Sequence, residues 1–378
     1  MGGVRQARRV TSVLVAAMLW SVAASAETST ELSASILVFP KVIFDGTRDT
    51  VVQISNTSNF VIHAHCFYVN AFPECTGSGD CLEGTCFGEC VPRWQEVNFD
   101  LWLTKQQPTM WNAGYGRFND PFDQPCRIDL PNHRRNDNFD CYGAGIDPGQ
   151  IPPVPNPFVG ELKCVEVDPS GAPISGNRFK GEATLLTSAG DSSKYNAIGF
   201  IGDDQDGDNT LCLGGQDIDP PDGPCPVGAE YSACPQTLIM DDFSEGADDP
   251  LLGPASTVHT ELTLVPCTED FEQQIPSKVV VQFQLFNEFE DRFSASTTVN
   301  CWGNFFLEDV AGIIFDVRTL GTRFIQARLE SSKNSASGII GVIEEYHRLG
   351  DATARAAFNL HEEGERVPRD YVVIPEGP

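Results

Sequence analysis

Apolar and polar residues alternate with a period of two along much of the chain. In the segment 279–285 every odd-numbered residue is apolar, and in the segment 258–264 the even-numbered positions are Val258, Thr260, Leu262 and Leu264. This alternation is typical of strands that bury one face of an antiparallel sheet. Enrichment in β-branched and aromatic residues predicts further strands at 35–44, 50–55, 61–70, 95–104, 160–167, 179–187, 195–201, 296–307, 323–330, 338–346, 355–361 and 371–374.

The order of these segments predicts the fold class. Strands follow one another without intervening helices, which indicates an all-β fold, an antiparallel β-sandwich. Three segments rich in turn residues, 73–93, 108–158 and 203–237, interrupt the pattern and predict long loops pinned by disulfides. We expect one large sandwich domain over 27–378 with these insertions. Two sandwiches divided near the proline-rich segment 151–157 are the alternative.

The N-terminal segment has the three parts of a secretory signal peptide. Arg5, Arg8 and Arg9 precede an apolar run from Val13 to about Val22. Ala24-Ser25-Ala26 then forms a small-residue cleavage site. We therefore predict a signal peptide at 1–26 and a mature chain that is extracellular, at the cell surface or periplasmic. No later stretch has the ~18 apolar residues of a membrane helix, so we expect no transmembrane segment in the mature chain.

All thirteen cysteines follow the predicted signal peptide. In an exported protein cysteines usually pair as disulfides, and an odd number leaves one thiol unpaired. Cys75, Cys81, Cys86 and Cys90 lie close together in a glycine-rich segment and are the best candidates for local bridges. A zinc-binding knot is the alternative interpretation of their spacing.

The first strands of the mature chain carry a resemblance. The segment 36–42 reads ILVFPKV, and the segment 50–59 reads TVVQISNTSN, with an Asn-Thr-Ser turn at its end. This succession resembles the start of Ig-like exported bacterial proteins, including uncharacterised ones. The resemblance implies an Ig-like β-sandwich at the beginning of the chain, and it implies no catalytic residue and no activity.

The charge of the chain restricts its partners. Acidic residues number 53 against 25 Lys and Arg, which gives a net charge of −28. Such a surface repels phosphate backbones and anionic lipids, so we expect no nucleic-acid partner. A protein or a glycan at the cell surface is the expected partner.

The acidic loop at 203–209 is the best candidate for a cation site. Asp204, Asp206 and Asp208 alternate along it, as carboxylates do when a tight loop wraps Ca²⁺. The loop does not match an EF-hand, because Asn209 stands where that motif has Gly and Gly215 stands where it has Glu. The alternative interpretation is a solvated acidic turn, so calcium is the only cofactor that we predict.

Histidines and aromatic residues give weaker candidates. His63 and His65 share one face of a predicted strand and could bind a metal ion, but the sequence supplies no third ligand. Two motifs, Glu345-x-His347 and His361-x-Glu363, would converge if their strands paired. Trp111 and Tyr115 lie in one predicted loop, and they predict an exposed platform for a sugar ring.

No sequence motif identifies a catalytic residue, and no Gly-x-Ser-x-Gly elbow or His-Glu-x-x-His helix occurs. The acidic pairs Asp241-Asp242 and Glu288/Glu290 are no better as glycosidase candidates than other carboxylates. We therefore expect a non-enzymatic secreted or cell-surface structural or interaction protein. A calcium-assisted carbohydrate-binding β-sandwich is the first alternative. A secreted hydrolase of unfamiliar pattern is the second, and two carboxylates with shifted pKa values in one cleft would favour it.

Overall fold

The computed structural model describes residues 28–70, 94–117, 147–203, 207–214, 224–225, 229–332, 335, 337–366 and 370–375, together with the backbone of two short strand pairs within 85–91 and 128–135. The predicted signal peptide lies outside these residues. Within them, no helix is long and apolar enough to cross a membrane.

The first thirteen strands lie before residue 203. They are β1 (Ile36–Phe44), β2 (Arg48–Asn56), β3 (Ile62–Asn70), β4 (Thr85–Cys86), β5 (Cys90–Val91), β6 (Gln95–Leu103), β7 (Pro108–Asn112), β8 (Ile128–Asp129), β9 (Arg134–Arg135), β10 (Phe158–Val167), β11 (Phe179–Thr187), β12 (Ser192–Asn196) and β13 (Ile198–Phe200).

The remaining elements are strands and three short helical segments. They are β14 (Thr210–Leu213), β15 (Pro235–Phe243), β16 (Ser256–Pro266), β17 (Glu269–Asp270), β18 (Lys278–Asn287), β19 (Arg292–Asn300), β20 (Gly303–Phe306), α1 (Leu307–Ala311), a 3₁₀ turn (Gly312–Phe315), α2 (Val317–Leu320), β21 (Phe324–Ser331), β22 (Ile339–Leu349), β23 (Ala352–Asn359), β24 (His361–Glu365) and β25 (Asp370–Val373).

The strands form five sheets of three to five strands each, and two short two-stranded ribbons, β4–β5 and β8–β9. Sheet A has the order β13-β1-β10-β3-β6, and sheet B has the order β12-β11-β2-β7. Sheet C has the order β14-β25-β17. Sheet D has the order β19-β18-β21-β15-β24, and sheet E has the order β20-β16-β22-β23. The prediction of an all-β fold is confirmed.

The prediction of a β-sandwich is wrong. The five small sheets are arranged as a five-bladed β-propeller and not as the two facing layers of one sandwich. Sheet A gives the physical reason, because both of its faces are buried. One face packs on sheet B through Phe39 and Leu162, and the other packs on sheet C through Val38 and Phe200. A sheet in a two-layer sandwich buries only one face.

The sequence of β1 is typical of a strand that is buried on both faces. Eight of its nine residues are buried, including the charged Lys41. A strand that is buried on both faces reads as a continuous apolar run rather than as an alternation. The alternation of β18, where Val279, Val281, Phe283 and Leu285 are buried, belongs to a sheet with one face exposed.

Sheets D and E share a separate hydrophobic cluster. The inward face of β18 packs against Leu262, Leu264 and Ile343 of sheet E. Sheet E also reaches back to sheet B, where Asn359 Nδ2 donates to the Asn196 carbonyl at 2.7 Å and the Asn196 amide donates to Asn359 Oδ1 at 3.1 Å. A strand near the middle of the chain, β12, is therefore in direct contact with β23 near its end.

Disulfides are present, as the sequence predicts. Cys66 and Cys164 are bonded across the directly opposed positions of β3 and β10. Two further bridges join Cys212 to Cys225 and Cys234 to Cys267. Among the described cysteines with side chains, Cys301 alone is a free thiol, and it is buried. Disulfides are typical of an oxidising compartment, and export of the chain stays a prediction.

Candidate functional site

The predicted calcium loop is described only in part. Asp204 and Asp206 lie outside the described residues. Asp208 is exposed, and its Oδ1 accepts a hydrogen bond from the Thr210 amide at 2.7 Å. Of the local disulfide candidates, Cys75 and Cys81 also lie outside the described residues, and the backbones of Cys86 and Cys90 are paired in the β4–β5 ribbon.

The predicted aromatic platform does not form, because its larger ring is in the core. Trp111 is 3% exposed, and its Nε1 donates to the Tyr68 hydroxyl at 2.6 Å. Tyr115 is 71% exposed. The loop prediction for Trp111 fails because residues 108–112 form β7, an edge strand of sheet B, and its side chain points between sheets A and B.

The two histidines of β3 meet a carboxylate that the sequence did not reveal. Asp100 of β6 lies directly opposite His65, and its Oδ1 is 2.8 Å from His63 Nε2 and 2.9 Å from His65 Nδ1. Burial would raise the pKa of Asp100, but the hydrogen bonds from His63 and His65 hold it well below its usual value. His63 Nδ1 faces the Asp168 carbonyl at 3.0 Å. These groups satisfy one another.

The two late motifs do not converge as the sequence analysis suggested. β22, which carries Glu345 and His347, pairs with β16 and β23, whereas β24, which carries His361 and Glu363, pairs with β15 in another sheet. His361 and Glu363 are therefore in sheet D, and only Glu345 and His347 contribute to the arrangement described next.

A cleft of about 460 Å³ lies at the end of β15, beyond the last residue that pairs with β24. Four carboxylates and three phenylalanines dominate its wall, and none of the lining residues is Lys, Arg or His. The lining residues are Asp241, Asp242, Phe243, Phe286, Asn287, Glu288, Phe324, Ile325, Gln326 and Glu345. The cleft thus combines negative charge with aromatic surface.

Asp242 and Glu345 face each other at the buried end of this cleft. They are 4% and 8% exposed, and they come from β15 of sheet D and β22 of sheet E. Asp242 Oδ1 accepts from the Phe243 amide at 2.7 Å, and the Thr260 hydroxyl of β16 lies beside the same carboxyl group. Burial, and then the hydrogen bond and charge of Glu345, raise the pKa of Asp242 well above its usual value. Asp242 is therefore the member of the pair that favours its protonated form.

A histidine and a third carboxylate lie behind this pair. His347 Nε2 is 3.2 Å from Glu345 Oε2, and His347 Nδ1 is 2.7 Å from Asp249 Oδ2. Asp249 also accepts hydrogen bonds from the Leu251 and Leu252 amides, so it is fixed by its own turn. Both ring nitrogens of His347 are therefore occupied, and the imidazole orients Glu345 rather than the contents of the cleft.

The aromatic side chains form the outer part of the cleft. The Phe243 and Phe324 rings are 4.6 Å apart, and Phe324 is 42% exposed. The two amide side chains of the wall are already bonded: Gln326 Nε2 donates to Asp241 Oδ1 at 3.0 Å, and Asn287 Nδ2 donates to the Leu320 carbonyl at 2.9 Å. The wall consequently offers hydrogen-bond acceptors and π faces.

A second and larger concavity of about 700 Å³ lies on the outer face of sheet B. Its wall is polar, with Gln53, Lys180, Glu182 and Asn196 on neighbouring strands and the exposed Met110 beside them. None of its lining residues is aromatic. Lys194 lies 2.5 Å from Glu182, so part of the charge of this face is already neutralised.

Comparison with known proteins adds little. No family model matches the sequence, and no curated protein matches it. One similar solved structure is the N-terminal CBM22-1-CBM22-2 tandem domain from Paenibacillus barcinonensis Xyn10C, with 10% identity over 82% of this chain and 85% of that chain, and a TM-score of 0.17. A score this low carries no argument about this chain.

Proposed function

We propose that this protein is a non-enzymatic binding protein that holds a primary ammonium group, such as the side chain of a partner's lysine, between Asp242 and Glu345. The facing carboxyl groups carry the proposal. Two buried acceptors in contact require a proton or a cation between them, and a cleft that opens to solvent admits a cation. The phenylalanine faces around the entrance would attract the same charge.

The protein itself contains an occupied version of this arrangement. Lys41 Nζ lies 2.6 Å from Glu261 Oε2 and 2.9 Å from Glu344 Oε2, deep between sheets A and E. An ammonium group thus satisfies two buried carboxylates at once. In the cleft no side chain of the wall plays this part, and a ligand would supply it.

Hydrolysis is the second candidate function, because a carboxyl group of raised pKa beside a second carboxyl group can act as a general acid. Acyl hydrolysis needs a donor for the developing oxyanion. The side-chain amides of the wall, on Asn287 and Gln326, are already bonded.

The binding of Nα-acetyl-lysine methylamide, followed by calorimetry or NMR, tests the proposal. We expect millimolar affinity for this single side chain, and no binding of the Nε-acetylated form, which has lost its charge. Asp242→Asn and Glu345→Gln should each lower the affinity at least about tenfold, because each replaces a carboxylate that can carry negative charge by a neutral amide.

Glu182→Gln is the matched control, because it removes one negative charge at the face of sheet B, outside the cleft. Equal losses in Glu182→Gln and Asp242→Asn would mean that binding follows net charge and would contradict the proposal. Cleavage of protein or polysaccharide substrates at a rate that depends on Asp242 would favour the hydrolase instead.

The carbohydrate-binding alternative has its own supporting observation, the polar concavity on sheet B. Amide and charged side chains suit a hydroxyl-rich glycan, although the stacking ring that sugar sites often use is missing from this wall. A structural calcium ion at Asp204, Asp206 and Asp208 belongs to the same proposal. A melting temperature that responds neither to chelator nor to added Ca²⁺ would remove the calcium site.

A further inference from the structure

Three metal-ligating side chains converge where β20 ends along the edge of β16. β20 pairs with β16 only from Glu261 to Leu264, and the chain then turns into α1, which carries Glu308. Beyond that point the segment 245–247 takes over the edge of β16. The Gly246 amide donates to the Val258 carbonyl at 2.9 Å, and the Val258 amide donates to the Ala247 carbonyl at 2.8 Å.

Glu245 is held firmly in this position. Its side chain is 3% exposed. Its Oε1 accepts a hydrogen bond at 2.7 Å from the Thr260 amide, which lies beyond the part of β16 that pairs with β20. Its other oxygen, Oε2, lies 3.0 Å from His259 Nδ1. One carboxylate oxygen is therefore fixed by the backbone, and the second is presented beside the imidazole.

Glu308 completes the group from the solvent side. One ligand atom each of Glu245, His259 and Glu308 lies within 4.8 Å of the other two. Glu308 is exposed and, among the described residues, makes no ion pair with Lys or Arg. Two carboxylates and one imidazole thus surround a point that is open to water on one side.

We propose that Glu245, His259 and Glu308 bind a divalent transition-metal ion of the Zn²⁺ type. An imidazole nitrogen with two carboxylate oxygens is a donor set that Zn²⁺ accepts, and water would fill the open position. The imidazole argues against Ca²⁺ and Mg²⁺, which take oxygen ligands. The site is distinct from the acidic loop at 203–209 and from the Asp242 cleft, since none of its three residues belongs to that loop or lines that cleft.

Calorimetric titration of the full mature chain with ZnCl₂ tests the site. We expect one binding event that His259→Ala and Glu308→Gln each weaken at least about tenfold, because each removes a ligand. Asp309→Asn removes the same charge from the next residue of α1, which is also exposed, and should change the affinity less than about twofold. Added Zn²⁺ should raise the melting temperature of the wild type and of Asp309→Asn, and not that of Glu308→Gln.

Two outcomes would overturn the proposal. The first is wild-type binding that Glu308→Gln and Asp309→Asn reduce equally, which would indicate attraction by surface charge alone. The second is an affinity that His259→Ala leaves unchanged, which would place any bound zinc elsewhere. Circular dichroism of each variant checks that the fold is retained, and His361→Gln, at an exposed histidine of β24, controls for loss of any imidazole.

Discussion

Glu344 and Glu345 are consecutive residues of β22, and the sheet separates their side chains into two different environments. Glu344 points toward sheets A and B, where Lys41 Nζ lies 2.9 Å away and Ser193 Oγ donates at 2.8 Å. Glu345 points toward sheet D, where it faces the carboxyl group of Asp242. Both glutamates are buried, yet Glu344 contacts a lysine of the chain, whereas Glu345 lies between a second acid, Asp242, and the imidazole of His347.

The difference separates a structural charge cluster from a binding site. Around Lys41 the positive and negative charges compensate one another. The Tyr346 hydroxyl lies 2.5 Å from Glu261 Oε2 and 3.0 Å from Glu344 Oε2. Arg48 Nη1 lies 3.6 Å from Glu261 Oε2. Around Asp242 the compensating cation is missing from the wall and solvent has access. A buried charge arrangement that is complete stabilises the fold, whereas one that lacks its cation is available to a ligand.

Removal of the internal cation should have the largest effect. Lys41→Met leaves Glu261 and Glu344 facing each other without their lysine, so we expect the free energy of unfolding to fall by about 3–5 kcal/mol. Urea denaturation at neutral pH measures it. Lys194→Met removes a lysine that is 49% exposed and should cost less than about 1 kcal/mol. Similar losses in both variants would contradict the comparison.

Acid should weaken the compensated cluster next. Burial alone would raise the pKa of Glu261, but Lys41, Tyr346 and Arg48 together lower it to about 2. A depressed pKa contributes stability that is present above the ordinary value of about 4.5 and is lost as the pH falls toward 2, here on the order of 3 kcal/mol. The stability difference between wild type and Glu261→Gln should therefore shrink over that range. A difference that is constant with pH would rule out this linkage.

The pH dependence of amine binding sharpens the other side of the comparison. Because the pKa of Asp242 is raised, a proton on its carboxyl group must leave before an ammonium group can bind there. At pH values below that pKa, the affinity for Nα-acetyl-lysine methylamide should rise by up to about tenfold for each unit by which the pH is raised. Calorimetry in two buffers of different ionisation enthalpy should detect proton release. Affinity that does not change between pH 5 and 8 would show that no proton is displaced.

The smallest effect is expected for the stability of Asp242→Asn. A carboxyl group whose pKa is raised in the folded state loses stability as the pH rises above its unfolded value, because the unfolded chain ionises first. Asparagine does not ionise, so the variant should be as stable as the wild type at pH 8 or more stable by up to about 1 kcal/mol. Thermal unfolding measures it. A clear loss of stability would assign Asp242 a structural role like that of Lys41.

The sequence predicts the strands far better than it predicts the site. Alternation located β18 because only one of its faces is toward a core, and it located β16 because its polar residues, although mostly buried, alternate with its apolar ones. β-branched residues located β1 and β3. The sequence analysis did not predict β15, whose apolar positions are followed by two consecutive acids. Sheet arrangement could not be inferred, because burial of both faces of sheet A depends on partners far along the chain.

The candidate cleft also depends on residues that are far apart in the sequence, so the sequence alone did not predict it. Asp241, Asp242 and Glu288 were visible as acidic residues, but acidic residues are common here and nothing local distinguishes these from the others. Their significance depends on Glu345, which belongs to another sheet and arrives through tertiary packing. A signal was present in the aromatic neighbours, since Phe243 and Phe286 each lie near a strand end beside an acid or an amide.

The ion pair of Lys41 has a consequence for the way this chain reaches its native state. Its partner Glu261 lies 220 residues later in the sequence. Contacts between residues so far apart in the sequence form late in folding, because the entropic cost of closing a long loop comes before the stabilisation that the contact provides. A nascent or truncated chain that ends before residue 261 would have to bury a lysine without a counter-ion, or leave β1 unpacked. Lys41 thus makes completion of the first sheets conditional on synthesis of most of the chain.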